Sequence, residues 1–178
     1  MPDYPWYSLA NDTGIQQGDI FQDYPLLLPS QVSVDEQSGV GSVSAEILLN
    51  TVVVLSQSCD LVDDSLSTVI VCPAFHFDVS LKNQGLEPSK SLFGHVRKGY
   101  RPAYHLLNPC NIVGQSFPHL LLNFGQVSVT HRSLLLSVAE SSPDRIRLNP
   151  PYREQLSQAF ARFVMRVGLP TDIDPLPE

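Results

Sequence analysis

The stretch 51–61 constrains what this chain can fold into more than any other. Its sequence, TVVVLSQSCDL, is a run of valine and leucine that ends abruptly in polar residues. β-Branched side chains pack well on a pleated sheet and lose rotamer freedom in a helix, so the run predicts a buried central strand. The polar residues at its end would then lie at the rim of a core. They are Ser56, Gln57, Ser58, Cys59 and Asp60.

Further short strand signals precede and follow this run. A glycine-led strand is expected from residue 18, a hairpin with a polar tip over 31–49, and a strand over 68–73 that ends at a proline. Others are expected at 103–107, 119–123, 126–130 and 145–148. Gly, Pro and Asn separate these segments, which favours a barrel or sandwich over alternating βα units. The sequence therefore predicts a mainly β fold.

One amphipathic helix is expected at 150–167, where apolar residues recur at three- and four-residue spacing. Gly168 and Pro170 are stop signals beyond it. We predict that the apolar face, including Phe160, packs inside its own subunit. The chain is expected to form one domain over 1–170, followed by an acidic tail, 171–178.

The net charge of −7 conceals an asymmetry along the chain. Residues 1–81 hold eleven acids and no Lys or Arg, whereas all eleven Lys and Arg lie at or beyond Lys82. An acidic surface repels phosphate and suits a basic protein partner. The alternative is that the two halves intermingle and neutralise each other locally.

The segment 78–102 is basic and predicted to be a long irregular loop, which in a compact domain is either functional or mobile. Its cations are Lys82, Lys90, Arg97, Lys98 and Arg101. Tyr104 and His105 follow in the next strand. Arg101 or Lys98 could hold a phosphate while the aromatic side chains stack a base, as in single-stranded nucleic-acid sites. A lone histidine in a strand is, however, more often structural.

Cys59 beside Asp60 suggests a nucleophile that His105 could activate. Against this, no local signature surrounds Cys59, and the adjacent carboxylate disfavours the thiolate. The alternative is structural, because short polar side chains at a strand end hydrogen-bond the following turn. Cys59, Cys72 and Cys110 show neither disulfide nor zinc-ligand spacing, so we expect no metal and no cofactor.

The order of several stretches resembles the MazF/PemK toxin family. These are Gly18-Asp19-Ile20, Val52-Val53-Val54-Leu55-Ser56, Val69-Ile70-Val71-Cys72-Pro73, and 121–135 with a helix afterwards. The resemblance implies a small SH3-like β-barrel that dimerises and cleaves single-stranded RNA without metal. The family usually introduces its serine-ending strand by Arg-Pro, where this chain has Leu49-Asn50.

The functional hypothesis follows from the absence of the arginine that the family usually has before this strand. We expect a MazF/PemK-like barrel that serves as a protein-interaction or regulatory module in a toxin–antitoxin or defence-type assembly. The alternative is a metal-independent endoribonuclease in which Lys98 or Arg101 supplies the cation. No apolar run approaches the roughly 18 to 20 residues of a spanning helix, so a cytoplasmic protein is expected. We expect it to be a monomer or a homodimer.

Overall fold

The computed structural model describes residues 4–35, 38–62, 66–142 and 144–165. These residues form eight β-strands, four α-helices and two short 3-10 helices, at Val79–Gln84 and Phe124–Gln126. In chain order the strands and α-helices are β1 (Tyr7–Ala10), β2 (Asp19–Val34), β3 (Gly41–Val54), α1 (Ser58–Val62), β4 (Thr68–His76), α2 (Lys90–Arg97), β5 (Tyr104–Leu107), β6 (Leu120–Asn123), β7 (Ser128–His131), α3 (Arg132–Ser141), β8 (Arg145–Leu148) and α4 (Tyr152–Val164).

The strands form one antiparallel sheet, which confirms the mainly β prediction. Its order is β1-β8-β2-β3-β4-β6-β5, and β7 pairs with β4 beyond the end of β6. The 3-10 turn Phe124–Gln126 separates β6 from β7, so the two strands follow one another along the same edge of β4. Among the described strands, β1 and β5 at the two ends do not pair with each other. The sheet is open rather than closed into a barrel.

The predicted central strand is the second half of β3. Val52, Val53 and Val54 are fully buried, and they lie between β2 and β4. The strand begins at Gly41, well before the valine run, because it pairs along its length with β2 as a long hairpin. β4 does not end at Pro73 but continues to His76. Pro73 lies between the residues that pair with β7 and those that pair with β6, an interruption at which proline is tolerated.

Helices cover both faces of the sheet. On one face α4 buries Leu156 among the side chains of β3, β6 and β8. On the other face α3 buries Leu135 and Ala139 against β2, β3 and β4. Neither α1 nor α3 was expected from the sequence. Within the described part of the chain, no helix is long and apolar enough to span a membrane.

The segment 78–102 is not the long irregular loop that the sequence suggested. The Asp78 carboxylate accepts a hydrogen bond from the Ser80 amide and caps the 3-10 helix, and the Ser89 hydroxyl accepts one from the Leu92 amide and caps α2. Val96 of α2 is buried with Leu81 and Leu121 in a third apolar cluster. The many charged residues of this segment suggested a loop, although it contains a capped helix, α2, with the apolar residues Leu92 and Val96 four positions apart.

The C-terminal helix is present as predicted, with described bounds Tyr152–Val164. The Phe160 ring lies 5.4 Å from the ring of Phe124, and it packs against the core of its own chain. This is the intramolecular packing that was expected for the apolar face. Residues 166–178, which include the acidic tail 171–178, lie outside the described part of the chain.

A network of two carboxylates and two guanidinium groups joins the two halves of the sequence. Arg145 Nε donates to Asp19 Oδ2 at 2.9 Å, and Arg147 Nε donates to the other Asp19 oxygen. Both arginines also bind Asp12, at 2.9 and 2.7 Å. The side chains of Asp19 and Arg145 are 0% and 1% exposed. Two acids of the acidic half are thus neutralised by cations of the basic half, as the intermingling alternative expected.

Candidate functional site

The polar residues after the valine run are held largely by the backbone. Ser56 Oγ accepts a hydrogen bond from the Ile70 amide at 2.9 Å. Ser58 Oγ accepts one from the Gln17 amide at 3.1 Å. These contacts fit the structural alternative for the strand end, because both hydroxyls satisfy main-chain donors of neighbouring segments.

Gln57, Ser58 and Cys59 line a cleft of about 320 Å³ against the first half of α4. We call it the cysteine cleft, and its other lining residues are Gln17, Arg153, Glu154, Ser157 and Gln158. The Cys59 thiol is exposed and donates to Asp60 Oδ1 at 3.5 Å. Arg153 is paired with Glu154 at 2.9 Å. The cleft holds no histidine, so no imidazole base lies beside the thiol.

A second cleft, of about 400 Å³, lies between the C-terminal end of α2, the start of β5 and the second half of α4. We call it the basic cleft. Its polar and charged lining residues are Arg97, Lys98, Tyr104, His105, Gln155, Gln158 and Arg162. Among the described residues, no carboxylate lines it. Within the described part of the chain, none of its three cations takes part in an ion pair. The cleft therefore presents uncompensated positive charge.

His105 forms the inner wall of the basic cleft. Its ring stacks on that of Phe124, with centroids 6.2 Å apart and planes inclined by 20°. Burial disfavours the imidazolium ion and lowers the pKa of His105 to about 4. The side chain is consequently neutral at pH 7. It offers the cleft a flat surface and a neutral nitrogen, but no charge.

The two clefts adjoin at Gln158, which lines both. The polar strand end and the residues Tyr104 and His105 thus line neighbouring clefts rather than one common site. Cys59 and His105 line different clefts, so the structure does not assemble them as nucleophile and base. Arg101 is exposed and lies outside the residues that line the basic cleft.

The other two cysteines belong to the core. Cys72 is buried, its thiol contacts the Asn123 carbonyl at 3.4 Å, and burial raises its pKa to about 12. Cys110 is also buried. Among the described residues, no three His, Cys, Asp or Glu side chains are grouped so that they could hold a metal ion.

Sequence reasoning placed Lys98, Tyr104 and His105 in a candidate binding site but missed Arg162 and Gln158. Arg162 belongs to the polar stripe of α4, and the sequence showed that stripe without showing what it faces. Its neighbours in the cleft come from α2 and β5, more than fifty residues earlier in the chain. Only the packing of α4 brings these groups together.

The chain matches no protein-family model, no curated protein and no solved structure in the comparisons. The geometry of the two clefts is therefore the evidence on function.

Proposed function

We propose that this protein is a regulatory binding module whose basic cleft holds single-stranded RNA without cleaving it. The observation that supports this most directly is the composition of the cleft. Arg97, Lys98 and Arg162 converge there, and no carboxylate in the described part of the chain opposes them. Cations that lack a protein partner attract the phosphate groups of a nucleic-acid backbone even when the whole protein is acidic.

A single strand suits this cleft better than a duplex. Tyr104, which also packs against the cluster of Leu81, Val96 and Leu121, lines the cleft with His105, and aromatic rings stack unpaired bases with little sequence preference. Gln155 and Gln158 of α4 add amide groups that can both donate and accept hydrogen bonds at a base edge. Cations for the phosphates, an aromatic face for a base and amides for its edge form the usual set in single-strand recognition.

Binding is favoured over cleavage by the state of the titratable groups. Metal-independent cleavage requires one group to take the proton of the 2′-hydroxyl and another to protonate the leaving oxygen. His105, with a pKa of about 4, is a weak base at neutral pH. Cys59 lies in the neighbouring cleft, with Asp60 hydrogen-bonded to its thiol. The MazF/PemK resemblance and a place in a toxin–antitoxin or defence-type assembly remain predictions, as does an SH3-like arrangement of the strands.

Fluorescence anisotropy with a short labelled oligouridylate tests the binding. Replacing Lys98 and Arg162 together by Ala should raise the Kd at least about ten-fold and reduce the salt dependence by roughly two phosphate contacts. The double variant Lys82→Ala/Lys90→Ala is the matched control, because it removes the same charge outside the cleft. Its Kd should change less than about two-fold. Equal losses in both variants, or no binding by the wild type, would contradict the proposal.

The endoribonuclease alternative is tested on the same RNA. After incubation with excess chelator, the oligonucleotide should run intact on a denaturing gel. If fragments appear and the Arg101→Ala variant no longer produces them, the protein is a metal-independent endoribonuclease and the non-cleaving proposal is wrong.

A further inference from the structure

The outer part of the β2–β3 hairpin extends beyond the sheet. Residues 25–34 of β2 and 41–50 of β3 pair with each other, but among the described strands they have no other partner. We call this two-stranded segment the β-arm. An isolated two-stranded ribbon is only marginally stable in water, because it lacks a layer to bury its apolar face.

One face of the β-arm is apolar and exposed. Residues directly opposite one another in an antiparallel pair share a face, so Leu27 lies beside Ile47 on the side that also carries Leu49. Leu27, Ile47 and Leu49 are 56%, 63% and 65% exposed, and Val34 and Val43 are exposed to a similar degree. None of these positions is charged.

The opposite face of the β-arm carries Leu26 and Leu48 where it leaves the sheet and is polar toward its tip. The Ser33 and Ser42 hydroxyls are hydrogen-bonded at 2.7 Å, and Ser30 Oγ donates to the Ser44 carbonyl. Glu46 lies on this face too, because it alternates with Ala45 and Ile47 along β3. The outer part of the β-arm thus has one polar face and one exposed apolar face.

We propose that the uncovered face is the interface through which two copies of this chain form a dimer. The five exposed side chains present roughly 500 Å² per copy, more than half of the ~800 Å² that each partner buries in a standard interface. A two-fold axis brings identical faces together, and here that contact buries no charge on either copy. The two ribbons stack face to face, as sheets do in a β-sandwich.

The electrostatic character of the face distinguishes a second copy from other occupants. Among the described residues, the face has no cation that would hold a nucleic acid or an anionic membrane surface. It likewise shows no carboxylate there that would select a basic protein, since Glu46 lies on the other face. Self-association is the assembly for which an uncharged, self-complementary face is sufficient.

Sedimentation equilibrium tests the dimer with a matched pair of variants. The wild type should sediment at twice the chain mass at micromolar concentrations. Ile47→Lys places a charge on the apolar face and should sediment as a folded monomer, with an unchanged circular-dichroism spectrum. Ser44→Lys places the same charge on the polar face of the same strand and should remain a dimer.

Three outcomes would overturn the proposal: a monomeric wild type, an Ile47→Lys variant that dimerises as well as the wild type, and equal weakening by Ser44→Lys. The Leu27→Lys variant repeats the test from β2 if Ile47→Lys fails to fold. RNA binding by the basic cleft is measured separately by anisotropy, so failure of the dimer and failure of the proposed function give different results.

Discussion

At the scale of single residues, His105 shows how burial sets the chemistry available to the basic cleft. The imidazole stacks on Phe124 and is kept neutral because an imidazolium ion there would lose its hydration. The same burial couples its protonation to folding. Above about pH 6.5 the histidine is neutral in both the folded and the unfolded chain and has no effect on the pH dependence of stability.

Below that pH, His105 becomes protonated in the unfolded chain. In the folded chain it stays neutral until the pH falls to about 4. The free energy of unfolding should therefore fall as the pH drops from about 6.5 to about 4, by up to about 3 kcal/mol from this residue. Urea unfolding at several pH values checks this. The His105→Gln variant should lose this part of the pH dependence, whereas replacing the exposed His95 by Gln should keep it. An identical pH profile in wild type and His105→Gln would contradict the assignment.

At the scale of elements, the sequence predicted those whose pattern is local. The valine run at 52–54, the strand at 145–148 and the periodic C-terminal helix were all recognised from their own residues. The polar stripe of the last helix was also visible. The residues that this stripe faces could not be predicted, because its partners in α2 and β5 are set by how α4 packs on the sheet.

Helices α2 and α3 were missed for a different reason. Lys90, Arg97 and Lys98 made the first segment look like a mobile loop, although Ser89 and Leu92 supply a cap and an apolar position. In α3 the run 134–136 is three consecutive leucines, which fits a strand as well as a helix. Helix α3 is buried against β3 and β4, and that tertiary contact favours the helix over a strand.

The docking of α4 should depend on Leu156, which is fully buried on the inner side of the helix. We expect Leu156→Ala to lower the free energy of unfolding by about 2 to 5 kcal/mol, because it removes buried methyl groups and leaves a cavity. The exposed Ala161→Ser substitution on the same helix is the control and should change stability by less than about 0.5 kcal/mol. Chemical denaturation measures both. A loss below about 1 kcal/mol for Leu156→Ala would mean that α4 is not anchored there.

At the scale of the whole molecule, the network of Asp12, Asp19, Arg145 and Arg147 joins the first strands in the sequence to the last one, β8. Hydrogen bonds from Arg147 are the main cause of the lowered pKa of Asp12. The sequence showed the charge asymmetry but not which acids pair with which arginines. The pairing of β8 with β1 and β2 brings the arginines to the aspartates, and it is not encoded in any short segment.

Removing the central carboxylate should be costly, because it leaves two guanidinium groups without their main partner in a buried setting. We expect Asp19→Asn to lower the free energy of unfolding by about 3 to 5 kcal/mol. Glu46→Gln removes one exposed carboxylate from the β-arm and should leave stability within about 0.5 kcal/mol of the wild type. Thermal unfolding at neutral pH compares them. Equal melting temperatures for Asp19→Asn and wild type would show that the network contributes no stability.

The partners of this ion-pair network are synthesised at different times. Asp19 and Arg145 are 126 residues apart in the chain, so at ordinary synthesis rates the carboxylate emerges roughly ten seconds before its cation. During that interval β2 can pair with β3 but lacks β8, and Asp19 stays hydrated. A nascent chain stalled before residue 145 therefore carries an open strand edge, and the sheet is completed only after β8, which ends at Leu148, has been made.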